Sequence, residues 1–271
     1  MYSGTTLRHK SGNLFGVHQR INRVARRIVR LETETFFPDI KTIQHFEGKN
    51  GPDGIKSKRP GVDEPRHFIN PMLPTDSPII TDIRNHSHNL VTALKKQDNV
   101  KAAFEAAWLS HAITDGLTPA HHFPYEDMLE DLRGEKKETR DTIKRKLMIS
   151  GDTKRKSFLH NWQVWGAKGL MTSHVLFELG VASTTVTVRT RTIAITESEK
   201  KRLIHEGYEA LFCESLAAIH QLHMYETFCK KGWTQSLARQ TKNILLPTIM
   251  HSVALAWYDA TYRSATPEKT R

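Results

Sequence analysis

QDNVKAAFEAAWLSHAITDGLTPAH, residues 97–121, carries the strongest helical signal in this chain of 271 residues. Asp98 is a suitable N-cap, and the Ala-rich sequence after it favours helical backbone. Pro119 prevents the helix from continuing, because proline lacks the amide hydrogen that another turn would need. A well-formed helix over 97–114, followed at once by a turn, is therefore predicted.

Three polar residues of this segment are candidate metal ligands. His111 and Asp115 are four positions apart, so a helix places them on one face, about one turn from each other. His121 follows Pro119, where the turn can bring it back toward the other two. Imidazole and carboxylate groups are ordinary zinc ligands. The segment therefore predicts a metal site, and the competing interpretation is a capped helix end that carries surface histidines.

The remaining sequence favours an all-α multi-helix bundle. Helices are predicted from near Val17 to residue 36, over 79–95, over parts of 125–158, over 159–180 with Gly180 as the C-cap, and over 197–229 and 236–262. Residues 37–78 are dense in Pro, Gly and Asp, which predicts one long loop. Residues 183–195 alternate and are β-branched, which predicts a short β-hairpin or an extended loop.

Composition and charge limit the class of protein. Hydrophobic residues make up 38% of the chain and charged residues 25%, which fits a single globular domain over 1–265 with a flexible tail over 266–271. There is neither an apolar run of roughly 20 residues nor an N-terminal apolar segment, so we expect a cytoplasmic protein. The net charge of +11 favours anionic partners, namely nucleic acid, an anionic membrane surface or a phosphate-bearing substrate.

Five further residues are candidate metal ligands, although each has an ordinary interpretation alone. Asp53 lies in a Gly-Pro-Asp-Gly turn, where aspartate is a common turn former. His67 follows it in the same predicted loop, and His18 begins the first helix. His174 and Glu178 are four apart on the helix over 159–180, a spacing that also occurs elsewhere in the chain. Their order along the chain is more informative than any one of them.

This order resembles that of the zinc-dependent phospholipase C and S1/P1 nuclease superfamily. The chain has a His, then Asp-x13-His, then His-x3-Asp-x5-His, then His-x3-Glu, and residues 108–121, WLSHAITDGLTPAH, are similar to the central signature of that family. The resemblance covers about residues 9–180. It implies an all-α fold that holds two to three Zn²⁺ ions in a cleft and hydrolyses phosphodiesters in phospholipid or nucleic acid, through a hydroxide that bridges two ions.

The resemblance also implies a role for each candidate ligand. A first zinc would be held by four ligands, namely Asp53, His67, His111 and Asp115. A second would be held by His121, His174 and Glu178. A third would be held by His18 together with Asp115, whose carboxylate would bridge two ions. Asp53 would also orient or deprotonate the attacking water.

The N-terminus and the middle of the chain differ from the family pattern. A tryptophan at the N-terminus of family members supplies a backbone amine and carbonyl, whereas this chain begins Met-Tyr, and His9 is the candidate replacement. A charged insertion over about 123–158 separates His121 from His174. Between Arg133 and Lys156 it has ten Lys/Arg and four Asp/Glu, which predicts either a basic lid for a polyanion or membrane surface, or a solvated helix pair.

Four functions are compatible with these patterns. The first is a zinc-dependent phosphodiester hydrolase of the phospholipase C type, and the second is a single-strand nuclease of the same superfamily. The third is a partly metallated, non-catalytic protein that binds anionic lipid or nucleic acid, and the fourth is a purely structural helical protein. Trp108, Trp162 and Trp165 flank the candidate ligands, and we expect them to pack in the core rather than to stack on a substrate.

Overall fold

The computed structural model describes residues 1, 16–48, 50–56, 66–122, 125–134, 142, 147–188 and 193–266. These parts of the chain are mostly helical, and no strand occurs among them. The α-helices in chain order are α1 (Val17–Glu32), α2 (Ile40–His45), α3 (Pro52–Lys56), α4 (Pro78–Lys95), α5 (Asn99–Gly116), α6 (Tyr125–Arg133), α7 (Lys154–Trp165), α8 (Leu170–Thr187), α9 (Glu197–His205), α10 (Tyr208–His220), α11 (Met224–Lys231), α12 (Gln235–Gln240) and α13 (Leu246–Ala265). The predicted all-α class is confirmed.

Helix α5 is the central element for the candidate site. The Asp98 side chain caps it by accepting a hydrogen bond from Lys101 N, as predicted. Most of its residues are buried, because α4 packs along it and α13 and α1 also contact it. An added Cβ at Gly116 would lie 2.9 Å from the ring of Phe212, so the glycine permits close packing where the helix ends.

Helices α1, α4 and α13 enclose the main core. The inner face of α1 buries Ile21, Val24 and Ile28, and the fully buried Trp257 of α13 donates its indole N–H to Ala106 O of α5. Such burial of aliphatic and aromatic surface is the dominant stabilising contribution to a helical bundle. Three buried polar residues, His18, Gln19 and Asn22, lie near the N-terminus of α1.

The predicted helix over 159–180 is wrong in its bounds. One helix, α7, ends at Trp165, and α8 begins at Leu170 and continues to Thr187. Gly180 is therefore inside α8 and is not a C-cap. An added Cβ there would lie 2.3 Å from the Trp233 ring, so this glycine allows a close approach between two elements. The expected packing of Trp162 and Trp165 in the core is also wrong, because these side chains are 60% and 40% exposed.

The predicted β-hairpin over 183–195 is also wrong where the structure describes it. Residues 183–187 form the last turns of α8, and residues 189–192 lie outside the described residues. The β-branched side chains are tolerated because Val181 and Thr185 are buried against neighbours, and Thr185 Oγ1 donates to Val181 O at 2.7 Å. Packing outweighs a weak intrinsic preference for strand.

The other expectations hold in part. The predicted loop over 37–78 contains the short helices α2 and α3 and a 3₁₀ turn, Pro74–Asp76. The two long helical stretches after residue 197 are divided into α9–α11 and α12–α13, with a π-helical turn, Thr241–Leu245, before α13. Residues 123–124, 135–141 and 143–146 of the charged insertion and residues 267–271 of the predicted tail lie outside the described residues.

None of the described helices is long and apolar enough to span a bilayer.

Candidate metal centre

The end of α5 positions three of the candidate ligands. His111 and Asp115 lie on one face of the helix, with His111 Nε2 3.2 Å from Asp115 Oδ2. Beyond the helix, Pro119–His121 forms a 3₁₀ turn in which His121 N donates to Thr118 O. This turn brings His121 Nδ1 to 3.6 Å from Asp115 Oδ1. The local geometry is the one that the sequence predicts.

Asp115 is the residue at which the elements meet. It is 1% exposed, and its two carboxylate oxygens face imidazoles from α1, α5, the segment after residue 66 and the turn after α5. The contacting atoms are His18 Nε2 at 3.4 Å, His67 Nδ1 at 2.5 Å, His111 Nε2 at 3.2 Å and His121 Nδ1 at 3.6 Å. Four histidines around one buried carboxylate form an arrangement suited to a bridging metal ligand.

Helix α8 supplies a second group of ligands. Glu178 Oε1 lies 3.0 Å from His121 Nε2 and 3.2 Å from His174 Nε2. The two imidazole rings stack, with centroids 5.0 Å apart and an angle of 13° between their planes. Because His174 and Glu178 are one turn apart on α8, the helix presents both to the turn that follows α5. These three residues form a group with the spacing to hold a metal ion.

A third group contains the two loop residues. Ligand atoms of Asp53, His67 and His111 all lie within 4.8 Å of one another. Asp53 lies in α3, and its Oδ1 is 3.8 Å from His111 Nε2. The segment that carries His67 is attached to the turn after α5 because Ile69 N donates to His121 O at 3.1 Å. All eight predicted ligands are therefore brought together in one connected cluster.

Met1 also enters this cluster. Its amino group lies 2.8 Å from Asp115 Oδ1 and 3.2 Å from Glu178 Oε1, and its carbonyl oxygen is 2.8 Å from His18 Nε2. Burial lowers the pKa of this amine, but the two carboxylates outweigh that effect and raise the pKa to about 10. The amine thus places a positive charge between the carboxylates that would bind metal. His9, the replacement predicted from the sequence, lies outside the described residues.

Glu47 is a buried member of the cluster that the sequence analysis missed. Its Oε1 lies 2.9 Å from His111 Nδ1 and 3.3 Å from His18 Nδ1, whereas Nε2 of each ring faces Asp115. Asn22 Nδ2 donates to Glu47 Oε2 at 3.3 Å, and Ser110 Oγ donates to Asn22 Oδ1. The segment around residue 47 carries no local pattern that indicates this contact, although it precedes Asp53 closely.

The pKa values of two histidines in the metal-free cluster are shifted in opposite directions. Burial lowers the pKa of His111, but Asp115 and Asp53 outweigh it and raise the pKa to about 10. Burial and the Met1 ammonium instead lower the pKa of His121 to about 4, against the pull of Asp115. The pKa values of Asp115 and Glu178 lie well below the ordinary range, because neighbouring cations outweigh the effect of burial. Both carboxylates are therefore ionised and His121 is neutral, the forms that bind metal.

Two imidazole nitrogens of the cluster are available to bind an ion. His111 Nε2 and His121 Nδ1 are buried and have no hydrogen-bond partner in the described part of the chain. Buried polar atoms without a partner are costly, and a metal ion bound by these two nitrogens would remove that cost. Three groups of His, Asp and Glu meet the spacing for a metal ion, and two of them share His111. The donor set of imidazoles and carboxylates suits a divalent transition metal such as zinc.

No protein-family model matches the chain, and no curated protein matches it significantly. The candidate metal centre therefore rests on its own geometry.

Proposed function

We propose that this protein is a zinc-dependent phosphodiester hydrolase of the phospholipase C type. The observation that carries the proposal is the position of Asp115, a buried carboxylate contacted by four histidines from four separate segments. A structural role would not require so many buried imidazoles around one carboxylate, because each must be desolvated. A multi-metal centre accounts for all of them.

The proposed assignment follows the resemblance, with one addition. Asp115 would bridge two ions, and the Met1 amine and carbonyl oxygen would complete the third position in place of the family's tryptophan. The three ligand sets are Asp53, His67, His111 and Asp115; His121, His174 and Glu178; and His18, Asp115 and Met1. The raised pKa of the Met1 amine means that zinc binding would displace its proton.

The chain's own residues would divide the work on the substrate. Zinc, when bound, would make water more acidic and neutralise the charge of the phosphoryl group. Asp53 is the candidate general base, because its side chain is 19% exposed whereas that of Asp115 is 2% exposed. A substrate or water can therefore reach Asp53, and its carboxylate could accept a proton beside the centre. The buried Asp115 would hold ions without contacting solvent, whereas Glu178, with a side chain 15% exposed, would serve as a ligand only.

The proposal is tested on protein purified without added zinc. We expect at least two equivalents of zinc by elemental analysis, together with hydrolysis of a chromogenic phosphodiester. The Asp53→Asn variant should lose most activity. A matched control is Asp82→Asn, which changes a carboxylate on α4 that pairs with Arg66 at 3.1 Å and should keep both zinc and activity. Less than one equivalent of zinc, with no hydrolysis, would overturn the proposal.

The same preparation separates the substrate classes. A phosphatidylcholine emulsion and single-stranded DNA are assayed in parallel with the chromogenic substrate. Preferential cleavage of lipid supports the phospholipase C type, and preferential cleavage of DNA identifies a nuclease instead. Zinc binding without any hydrolysis would identify a non-catalytic metalloprotein.

A further inference from the structure

Helix α7 (Lys154–Trp165) exposes large apolar side chains. Phe158 is 65% exposed, Trp162 60% and Leu159 49%. Exposed aromatic residues that cluster, rather than being scattered singly, mark interaction surfaces. The rings of Phe158 and Trp162 stack on each other, with centroids 6.1 Å apart, so they form one continuous patch.

The patch is one face of a helix whose other face is anchored. Positions 158, 162 and 165 recur at helical spacing, so their side chains share a face. On the other face, Val164 is 1% exposed, and Asn161 exchanges hydrogen bonds with the backbone of Ile149. The exposed side chains are thus held outward by packing and hydrogen bonds behind them.

The segment before α7 extends the patch. Leu147 and Met148 are 45% and 49% exposed, and Trp165 Nε1 donates to Leu147 O at 2.7 Å. This bond satisfies the indole N–H while the ring stays partly exposed. The resulting surface, here called the α7 face, consists of Leu147, Met148, Phe158, Leu159, Trp162 and Trp165.

Basic residues occupy the first turn of α7, beside the α7 face. Lys154, Arg155 and Lys156 are exposed, and this turn contains no acidic residue. Cations at a helix N-terminus oppose the helix dipole, so they do not serve the stability of α7. Lys156 pairs with Asp152 at 3.2 Å on a largely exposed surface. The remaining positive charge of Lys154 and Arg155 complements an external anion.

We propose that the α7 face docks on an anionic lipid bilayer. Tryptophan and phenylalanine insert at the boundary between headgroups and acyl chains, while adjacent Lys and Arg attract anionic headgroups. Single-stranded nucleic acid is the weaker match, because it binds through successive bases that stack on open ring faces. Here Phe158 and Trp162 stack on each other, so part of each ring face is already occupied, and the aliphatic Leu147, Met148 and Leu159 offer bases no stacking surface.

Docking would bring the lipid surface close to the candidate metal centre. Helix α7 directly precedes α8, which carries His174 and Glu178, and the two helices pack together. The docking proposal does not depend on hydrolysis, so it goes beyond the proposed function and can fail independently of it. If both are correct, the lipid surface would be the source of the substrate.

The test measures binding of the full-length protein to sedimented vesicles. Phosphatidylcholine vesicles with phosphatidylserine are compared with phosphatidylcholine alone, using both zinc-loaded and chelator-treated protein. We expect preferential binding to the anionic vesicles in both preparations. The double variant Phe158→Ser/Trp162→Ser should weaken partitioning by about tenfold or more. Leu31→Ser/Val100→Ser, at side chains 74% and 61% exposed, is the matched control and should bind as the unchanged protein does.

The charge contribution is tested separately. Lys154→Gln/Arg155→Gln should weaken binding to anionic vesicles by about 25-fold, since each cation near such a surface contributes on the order of 1 kcal/mol. Lys230→Gln/Lys231→Gln removes the same charge from exposed positions of α11 and should have a smaller effect. Equal losses in the two charge variants would indicate a general effect of net charge and overturn the proposal.

Tryptophan fluorescence reports insertion directly. Vesicle binding should shift the emission to shorter wavelength, brominated acyl chains should quench it, and Trp162→Phe should reduce both effects. Binding without quenching would overturn insertion of the α7 face. An oligo-dT competitor provides the opposing outcome: tighter binding to oligo-dT than to vesicles, lost in Phe158→Ser/Trp162→Ser, would identify the face as a nucleic-acid surface.

Discussion

Glu47 Oε1 lies 2.9 Å from Nδ1 of His111, on the opposite side of the ring from Nε2, which faces Asp115. A carboxylate at Nδ1 holds that nitrogen in its protonated form and leaves Nε2 free to bind a metal. Glu47 Oε1 also lies 3.3 Å from His18 Nδ1, but without the hydrogen bond that it makes with His111. Ser110 donates a hydrogen bond to Asn22, and Asn22 donates one to the other carboxylate oxygen of Glu47, which fixes the position of that oxygen. One buried carboxylate thus orients His111 and lies beside a second candidate ligand, His18.

Replacing Glu47 by glutamine should weaken zinc binding by about tenfold to 100-fold, the usual consequence of losing a group that orients a metal-binding histidine. The measurement is a competition titration with a zinc chelator. Glu105→Gln is the matched control, because Glu105 is also buried and contacts His86 Nδ1 at 2.6 Å, outside the candidate metal centre. That variant should lose stability without losing zinc affinity.

The same experiment distinguishes orientation from direct ligation. Glu47, His18 and His111 also form a group with metal-binding spacing. If Glu47 bound an ion directly, Glu47→Gln would remove a whole equivalent of metal rather than weaken affinity. Unchanged affinity in Glu47→Gln would contradict both roles.

Asp115→Asn should remove more zinc than Glu178→Gln. Asp115 contacts imidazoles from four segments of the cluster, whereas Glu178 contacts His121 and His174. An amide offers one neutral oxygen in place of two anionic ones, so it cannot bridge two ions, whereas a terminal ligand needs only one oxygen. Elemental analysis of both purified variants provides the comparison. Equal zinc content in the two would argue against a bridging role for Asp115.

The parts of the centre that depend on local spacing could be predicted from the sequence. Helical periodicity alone sets the relation of His111 to Asp115 and of His174 to Glu178. Pro119 predicted the turn that returns His121. By contrast, Glu47 approaches His111 across 64 positions, and no local pattern encodes that contact. The contact between Glu47 and His111 depends on the packing of α2 against α1 and α5.

The wrong predictions about the fold have a similar origin, because they also depend on contacts between distant parts of the chain. Gly180 resembles a helix C-cap in sequence, but its lack of a side chain accommodates Trp233, more than 50 positions later. The β-branched residues that predicted a hairpin continue α8, because burial of Val181 and Thr185 outweighs local preference. The tryptophans of α7 looked like core residues by type alone. Their exposure depends on which face of α7 the neighbouring elements cover.

Zinc affinity should continue to rise with pH above neutrality. The pKa values of His111 and the Met1 amine are both raised to about 10 in the metal-free protein, so both groups are protonated at pH 7 and must lose protons to bind zinc. His121, with its pKa lowered to about 4, is already neutral and contributes nothing above that pH. Isothermal titration in buffers of different ionisation enthalpy should detect proton release at pH 7. An affinity that becomes constant by pH 7 would contradict this prediction.

Asp259→Asn should stabilise the protein at neutral pH. Asp259 on α13 is 5% exposed, and burial raises its pKa, although Arg263 at 3.4 Å opposes the shift. A carboxyl group whose folded-state pKa is raised costs stability above that pKa, and the cost disappears below the ordinary value of 3.8, where both folded and unfolded chains are protonated. Asparagine removes the cost, because it has no charge to bury.

Thermal unfolding of Asp259→Asn at pH 7 should show Tm higher by about 2–4 °C, the shift that about 1 kcal/mol produces in a protein of this size. The gain should vanish near pH 3, and Asp152→Asn, at a side chain 88% exposed, should leave Tm unchanged at both pH values. A decrease in Tm at pH 7 would mean that the pair with Arg263 outweighs the burial of the charge.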